Sequence, residues 1–111
     1  MEVEVTKHGE VVCVHPKNDR LDAAEAIEFK SRLGQVVEAG NINILINMEK
    51  VEFVDSSGLG AIISALRAVG VKGDVKLCNV SEQVITLLSL TRLDKVLEVF
   101  SSEETGLASF E

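Results

Sequence analysis

The first apolar positions of the chain alternate with polar ones and predict a β-hairpin. Val3 and Val5 show the two-residue period of a half-buried strand. A His-Gly pair at 8–9 supplies a turn, and residues 11–14 form a second apolar run. Since Pro16 has no backbone N–H to donate to a neighbouring strand, the second strand should end there or run along an edge.

The next apolar residues recur with the period of a helix between Asp22 and Ala39. Asp22 and Glu25 resemble a capping pair at its start, and Gly40 is typical of a helix end. The acidic start matches the positive end of the helix dipole. The alternative is that these carboxylates form a partner-facing surface. The apolar face of this helix consists of Ala26, Phe29, Leu33, Val36 and Val37.

A continuous apolar run over residues 41–48 predicts a buried strand, and a further strand is expected over residues 75–78. A helical pattern stands before each of them. Strand-helix-strand crossovers imply parallel pairing with a right-handed connection. The hairpin and the two crossovers together predict an α/β fold with a mixed sheet.

The stretch 51–60 is a strand-to-helix junction, and its helix should begin close to Asp55 or Ser56. Gly58 and Gly60 are unusual in the first turns, because each glycine costs about 1 kcal/mol relative to alanine in a helix interior. Close approach of a docking partner to the bare backbone would compensate, and the alternative is tight packing of the helix start against the sheet. The expected buried face is Leu59, Ile62, Ile63, Leu66 and Val69.

The C-terminal part predicts two more helices, which brings the expected number flanking the sheet to about four. Ser81 is a candidate N-cap for the third helix, and residues 91–95 interrupt it. A short strand is expected over residues 96–100, and Ser101 with Glu104 forms a capping box for the last helix. The inward-facing residues are Val84, Leu87 and Leu88 in the third helix and Leu107 and Phe110 in the last.

Size and charge limit the classes of function. The chain has 111 residues, of which 46% are hydrophobic, which suits one domain over residues 1–111. Its formal net charge of −7 would repel nucleic-acid backbones and anionic lipid surfaces, so we expect no direct nucleic-acid partner. No apolar run has the length of a membrane span and the N-terminus lacks the basic start of a secretory signal, so we expect a cytoplasmic protein.

Cys13 and Cys78 lie far apart in strand-like runs without CxxC spacing. We interpret them as buried or half-buried free thiols, with a disulfide or redox role as the alternative. His8 and His15 have no ligand-type neighbours at metal spacing, which favours surface strand ends over a metal site.

The chemistry of a catalyst is missing around the central serines. A nucleophile elbow needs a glycine two residues before its serine, but Val54 precedes Ser56 and Asp55 precedes Ser57 at that spacing. The glycines lack the lysine and the serine or threonine that follow in a P-loop. The sequence therefore predicts a substrate or binding module that is not an enzyme and needs no cofactor or metal of its own.

One face of the second helix carries only small residues at helical spacing. A partner helix or loop would be able to approach it closely, whereas the alternative is an ordinary solvent-exposed face rich in alanine. The face consists of Ser57, Ala61, Ser64 and Ala68.

The segment 55–60, Asp-Ser-Ser-Gly-Leu-Gly, resembles the signature of the STAS domain family, and specifically of bacterial anti-sigma factor antagonists. The Leu21-Asp22 pair also matches the family, whereas the preceding turn has Asn18-Asp19 where the family tends to have glycine. Later segments are similar too, although the family commonly has glycine where Arg92 stands. The likeness follows the whole predicted order of elements and implies a STAS-like fold.

The resemblance implies a mechanism and partners. The serine after the aspartate, Ser56, would be phosphorylated by an anti-sigma factor with serine kinase activity, and Ser57 is the second choice because the family often has alanine there. The partner would bind MgATP, and a serine phosphatase would restore the unphosphorylated form, which binds the anti-sigma factor and releases a sigma factor. The expected partner-binding residues are Asp22, Asp55, Ser56, Ser57, Gly58, Leu59, Gly60, Ala61 and Ser64.

Two other functions remain open. The chain would also suit a stand-alone STAS subunit with a structural or regulatory role in a membrane lipid-transport or stress-signalling complex, which needs no phosphorylated serine. Binding of a small ligand at the helix start is a third alternative, and little in the sequence favours it.

Overall fold

Seven strands and four α-helices form along residues 1–111, all of which are described by the computed structural model. The strands are β1 (Val3–His8), β2 (Val11–Pro16), β3 (Arg20–Leu21), β4 (Asn43–Asn47), β5 (Phe53–Val54), β6 (Asp74–Cys78) and β7 (Val99–Phe100). The helices are α1 (Ala23–Glu38), α2 (Ser56–Val69), α3 (Glu82–Leu90) and α4 (Glu103–Ala108). Short 3₁₀ turns cover Gly70–Lys72 and Leu93–Lys95.

Five of the strands form one sheet in the order β1-β2-β4-β6-β7. The β1–β2 pair is antiparallel, and the other neighbours pair in parallel. The predicted hairpin, both crossovers and the mixed sheet are therefore confirmed. The second strand ends at Pro16, as the missing N–H requires.

Side-chain capping starts each helix. The predicted caps of α1 and α3 are confirmed, since Asp22 and Ser81 each accept a backbone N–H of the following turn. The cap of α2, for which the sequence offers Asp55, Ser56 and Ser57, is Asp55. The prediction that Ser101 caps the last helix is wrong, because Ser102 does so by accepting from the backbone N–H of Thr105. The last strand is also shorter than predicted, since the turn at Leu93–Lys95 continues through hydrogen bonds from residues 96 and 97 to the carbonyl of Leu93.

The main core lies between one face of the sheet and helices α1, α2 and α3. Alternate residues of the central strands point into it, and Phe29 and Leu33 of α1 are fully buried there. Burying these side chains is the main source of stability, at about 1.5–3 kcal/mol for each large one. The core residues of the sheet are Val12, Val14, Ile44, Ile46, Val75 and Leu77.

The second face of the sheet is covered in part by the short helix α4. Gly106 packs on Leu45, where a Cβ atom would lie 2.9 Å from the leucine Cδ1. Lys76 is 7% exposed and donates to the carbonyl oxygen of Ser109. Cys13 and Cys78 are buried under this helix as free thiols, as predicted.

Two buried faces differ from the predicted pattern. Val5 is 44% exposed because it lies on the outermost strand. On α2, Ala61 and Ala65 are buried whereas Ile63 and Leu66 are only partly buried. The reason is that α1 packs along the side of α2 that carries the alanines.

None of the helices combines the length and apolar composition needed to cross a bilayer.

Candidate functional site

Two very short strands set the starts of α1 and α2 side by side. β3 and β5 pair in parallel, with Leu21 opposite Val54. The backbone N–H of Asp55 donates to the carbonyl of Leu21 over 3.3 Å. Each strand is followed at once by the N-cap of a helix, so Asp22 and Asp55 come next in register. The N-termini of both helices therefore open onto the same surface.

The two aspartates hold the helix starts through their carboxylates. Asp55 Oδ1 accepts from the backbone N–H groups of Ser57 and Gly58 at 2.9 and 3.0 Å. Asp22 Oδ1 accepts from the N–H of Ala24 at 3.1 Å. Such caps are each worth about 0.5–2 kcal/mol. Because the Asp55 carboxylate is engaged by the backbone, it holds the turn and is not hydrogen-bonded to the Ser56 hydroxyl.

Ser56 is the first residue of α2, and both Ser56 and Ser57 are exposed to solvent. A helix N-terminus carries a partial positive charge and is a favourable place for an anion. However, the Asp55 carboxylate already occupies two of the free N–H groups. These two N–H groups are therefore not free to bind another anion.

The two glycines of the first turns have different environments. A Cβ atom on Gly58 would lie 2.3 Å from the carbonyl oxygen of Leu21, so Gly58 is required by the close packing of the helix start against β3. A Cβ atom on Gly60 would meet nothing within 4 Å. The alternative of tight internal packing therefore holds for Gly58. No contact within the protein requires a glycine at position 60.

The predicted face of small residues is only partly accessible. Ala61 is 3% exposed and belongs to the core, so its expected place on an open face is wrong. Leu59 and Gly58 are buried as well, and Ser64 is partly buried. Ser57 and Gly60 remain exposed. The accessible part of the predicted partner-binding set is thus concentrated at the start of the helix.

A shallow groove runs between the N-terminal halves of α1 and α2, with a volume of about 450 Å³. Ser57 and Gly60 line it from α2, and Ile27 and Lys30 line it from α1. Ile27 and Lys30 were not predicted as surface residues of interest, although the 80% exposure of Ile27 follows from its position outside the predicted apolar face. The full lining is Ala23, Ala26, Ile27, Lys30, Ser57, Gly60 and Ala61.

Arg20 lies at the edge of the same surface. Its Nε lies 3.4 Å from Asp22 Oδ2, and its guanidinium lies 4.4 Å from the centroid of the Phe53 ring. Both partners are partly exposed, so the ion pair adds little stability. Arg20 therefore pairs with Asp22. Asp55, the carboxylate that directly precedes Ser56, has no arginine partner.

A separate polar cluster joins α4 to the other face of the sheet. Glu103 Oε1 accepts from the Cys13 thiol at 3.1 Å and from the Asn47 amide at 3.0 Å, and these two hydrogen bonds lower the pKa of the carboxyl. Burial raises the pKa of both thiols, that of Cys78 to about 12. No three or more of the His, Cys, Asp and Glu side chains are placed so that they could hold a metal ion.

The fold defines an α/β domain of the STAS type. The STAS domain family model matches residues 2–106, and the chain belongs to this family.

Similar proteins include the anti-sigma F factor antagonist of Paenibacillus polymyxa, which is 24% identical over 113 residues, with 100% of this chain and 96% of the relative covered. An anti-sigma-factor antagonist (STAS) domain protein from Planctomyces limnophilus superposes with a TM-score of 0.89 at 24% identity, over 97% of each chain. The Bacillus cell fate determinant SpoIIAA in its phosphorylated form superposes with a TM-score of 0.75 at 20% identity, over 99% of this chain and 100% of that chain.

Proposed function

We propose that this protein is an anti-sigma factor antagonist that works in the cytoplasm and is switched off by phosphorylation of Ser56. The observation that carries the proposal is the exposed Ser56 hydroxyl at the first position of α2, on a surface where two helix N-termini meet. The names of the similar proteins support the class of function. In its unphosphorylated form the protein binds an anti-sigma factor and thereby releases a sigma factor.

The fold tolerates the modification. Ser56 is exposed, and the helix dipole favours a negative group at this end. Ser56 makes no contribution to the main core, and the cap of α2 comes from Asp55. We therefore expect the phosphorylated and unmodified domains to unfold at nearly the same temperature.

The switch acts through the surface that the partner meets. A phosphate adds about −1.5 to −2 charges at pH 7. It would stand beside Asp55 on a chain whose formal net charge is already −7. A partner surface that fits a neutral hydroxyl would then face repulsion and an unpaired charge. Such a mismatch costs several kcal/mol, and about 1.4 kcal/mol is already tenfold in affinity.

The partner supplies the chemistry of phosphoryl transfer. We infer that the anti-sigma factor is a serine kinase that binds MgATP, whereas this chain provides only the acceptor hydroxyl. The oxygen of Ser56 attacks the terminal phosphoryl group of ATP and loses its proton, and ADP leaves. A serine phosphatase then hydrolyses the ester and restores the active form.

The experiment is phosphorylation of the purified protein by the purified anti-sigma factor kinases of the source organism with MgATP, followed by phosphosite mapping. Ser57→Ala is the matched control, because Ser57 is equally a serine of the first turn and is exposed. We expect one phosphate on the wild type and on Ser57→Ala, and none on Ser56→Ala. Modification of Ser56→Ala but not of Ser57→Ala would overturn the assignment.

The alternative of a structural STAS subunit gives a different result. The protein would then stay unmodified with every kinase, and a Ser56→Ala variant would still copurify with subunits of a membrane transport or stress-signalling complex.

A further inference from the structure

Gly60 is a helix glycine that the fold itself does not require. It lies one turn into α2, its side-chain position is open, and its backbone is helical. Alanine would stabilise a helix interior here relative to glycine. A bare backbone at an open helix surface is useful where another molecule approaches closely.

Ile27 stands across the groove from Gly60 and is 80% exposed, although it is a large apolar side chain on a regular helix. Lys30 lines the same groove and, like most of the basic side chains, forms no ion pair within the chain. The groove therefore combines an unpartnered apolar side chain with an unpartnered cation.

The groove is continuous with the proposed phosphorylation site. Ser57, the next residue after Ser56, is part of its wall. Adjacent Cα atoms are about 3.8 Å apart, so a partner that contacts Ser56 lies within reach of the groove.

We propose that this groove receives an aliphatic side chain of the anti-sigma factor, packed between Ile27 and Gly60, with a carboxylate of the same partner beside Lys30. This inference rests on the proposed function and adds α1 to the surface through which the partner is recognised. Apolar burial next to Ile27 supplies affinity, and the charge pair at Lys30 accelerates association.

A second apolar groove lies between β5 and α3 and serves as the comparison. It has a volume of about 440 Å³ and is lined by Phe53, Val84, Leu87 and Leu90 among others. It shares no lining residue with α2 and contains no charged side chain. Leu90 is 78% exposed on a helix, which makes it a close match for Ile27 in size and exposure.

The test measures the affinity of the unphosphorylated full chain for the purified anti-sigma factor kinase that phosphorylates it. Truncating Ile27 to alanine should weaken binding by about tenfold or more, because burial of such a side chain is worth at least one decade of affinity. Leu90→Ala should bind within about twofold of the wild type, since partner contacts there are not expected.

Gly60→Ala separates binding from folding. The added methyl group should raise the unfolding temperature and, at the same time, weaken binding by about tenfold through overpacking in the interface. Lys30→Gln should slow association at low salt, and the difference from the wild type should shrink as ionic strength rises.

The proposal is overturned if Ile27→Ala and Gly60→Ala both bind like the wild type, or if Leu90→Ala weakens binding while Ile27→Ala does not. Ser56→Asp separates this outcome from failure of the proposed function. If Ser56→Asp abolishes binding while Ile27→Ala and Gly60→Ala bind the kinase as tightly as the wild type, only the groove assignment fails. If Ser56→Asp binds as tightly as the wild type, the switch itself is wrong.

Discussion

Gly58→Ala is the substitution for which the structure makes the sharpest prediction. The new Cβ atom would lie 2.3 Å from the backbone oxygen of Leu21 and 2.8 Å from Cγ1 of Val54. A backbone oxygen cannot rotate away, and that carbonyl accepts the N–H of Asp55. The methyl group can be accommodated only if the start of α2 moves away from β3.

The magnitude follows from two opposed effects. Overpacking of this kind costs about 1–3 kcal/mol, and a backbone clash belongs at the upper end. Alanine recovers about 1 kcal/mol of helix propensity. The expected net loss is therefore about 2 kcal/mol. With an unfolding entropy of about 2.1 cal/mol/K per residue, each kcal/mol moves the unfolding temperature by about 4 °C, so we expect a fall of about 8 °C.

Thermal unfolding followed by circular dichroism measures this change, with Gly60→Ala as the matched control. The control should raise the unfolding temperature by about 2–4 °C, because its Cβ position is open. The reasoning is refuted if Gly58→Ala unfolds at or above the wild-type temperature, or if the two variants shift in the same direction by similar amounts.

Three further predictions concern other parts of the fold. Arg92 has a left-handed backbone with φ of 61°, so Arg92→Gly should raise the unfolding temperature by about 2–4 °C, and a fall would contradict this reading. Hydrogen bonds lower the pKa of Glu103 in the folded state, so their stabilisation is present above the unfolded-state value of about 4.3 and is lost as the pH falls through the folded value. Thermal scans from pH 6 to pH 3 should fall less steeply for Glu103→Gln, and parallel curves would argue against this. Burial raises the thiol pKa values, so a thiol reagent at pH 8 should label neither Cys13 nor Cys78 until denaturant is added, and prompt labelling would show that they are accessible.

Local chemistry made much of the fold predictable. Asp22 and Ser81 were identified as caps because a short polar side chain before an apolar helical pattern has one favourable hydrogen-bonding role. The sheet followed from the hairpin turn and from crossovers that only parallel pairing accommodates. The left-handed Arg92 gives the physical reason for the glycine that the family commonly has there.

The parts that were not predictable depend on contacts distant in sequence. A two-residue strand such as β3 has no periodicity to detect, yet its pairing with β5 sets the two helix starts side by side. Similarly, the burial of Ala61 depends on which side of α2 is covered by α1. The start of α4 is one residue later than predicted, where Glu103 bonds to Cys13 and Asn47.

The predicted face of small residues on α2 shows how contacts between distant parts of the chain change which residues are accessible. Ser57 is exposed and Ser64 is partly buried, whereas Ala61 is almost completely buried. The sequence pattern could not show that Ile27 and Lys30 of α1 line a groove together with the first turns of α2. The residue pattern of one helix predicts its own faces, whereas a groove also depends on the neighbouring helix.

The affinity of the unmodified and the Ser56-phosphorylated protein for the purified anti-sigma factor kinase, measured by calorimetric titration, tests the central claim most directly. The account predicts binding at least about 100-fold weaker after phosphorylation, with unfolding temperatures that agree within about 2 °C. Equal affinity of the two forms would contradict it, and so would a loss of binding that comes with a large fall in the unfolding temperature.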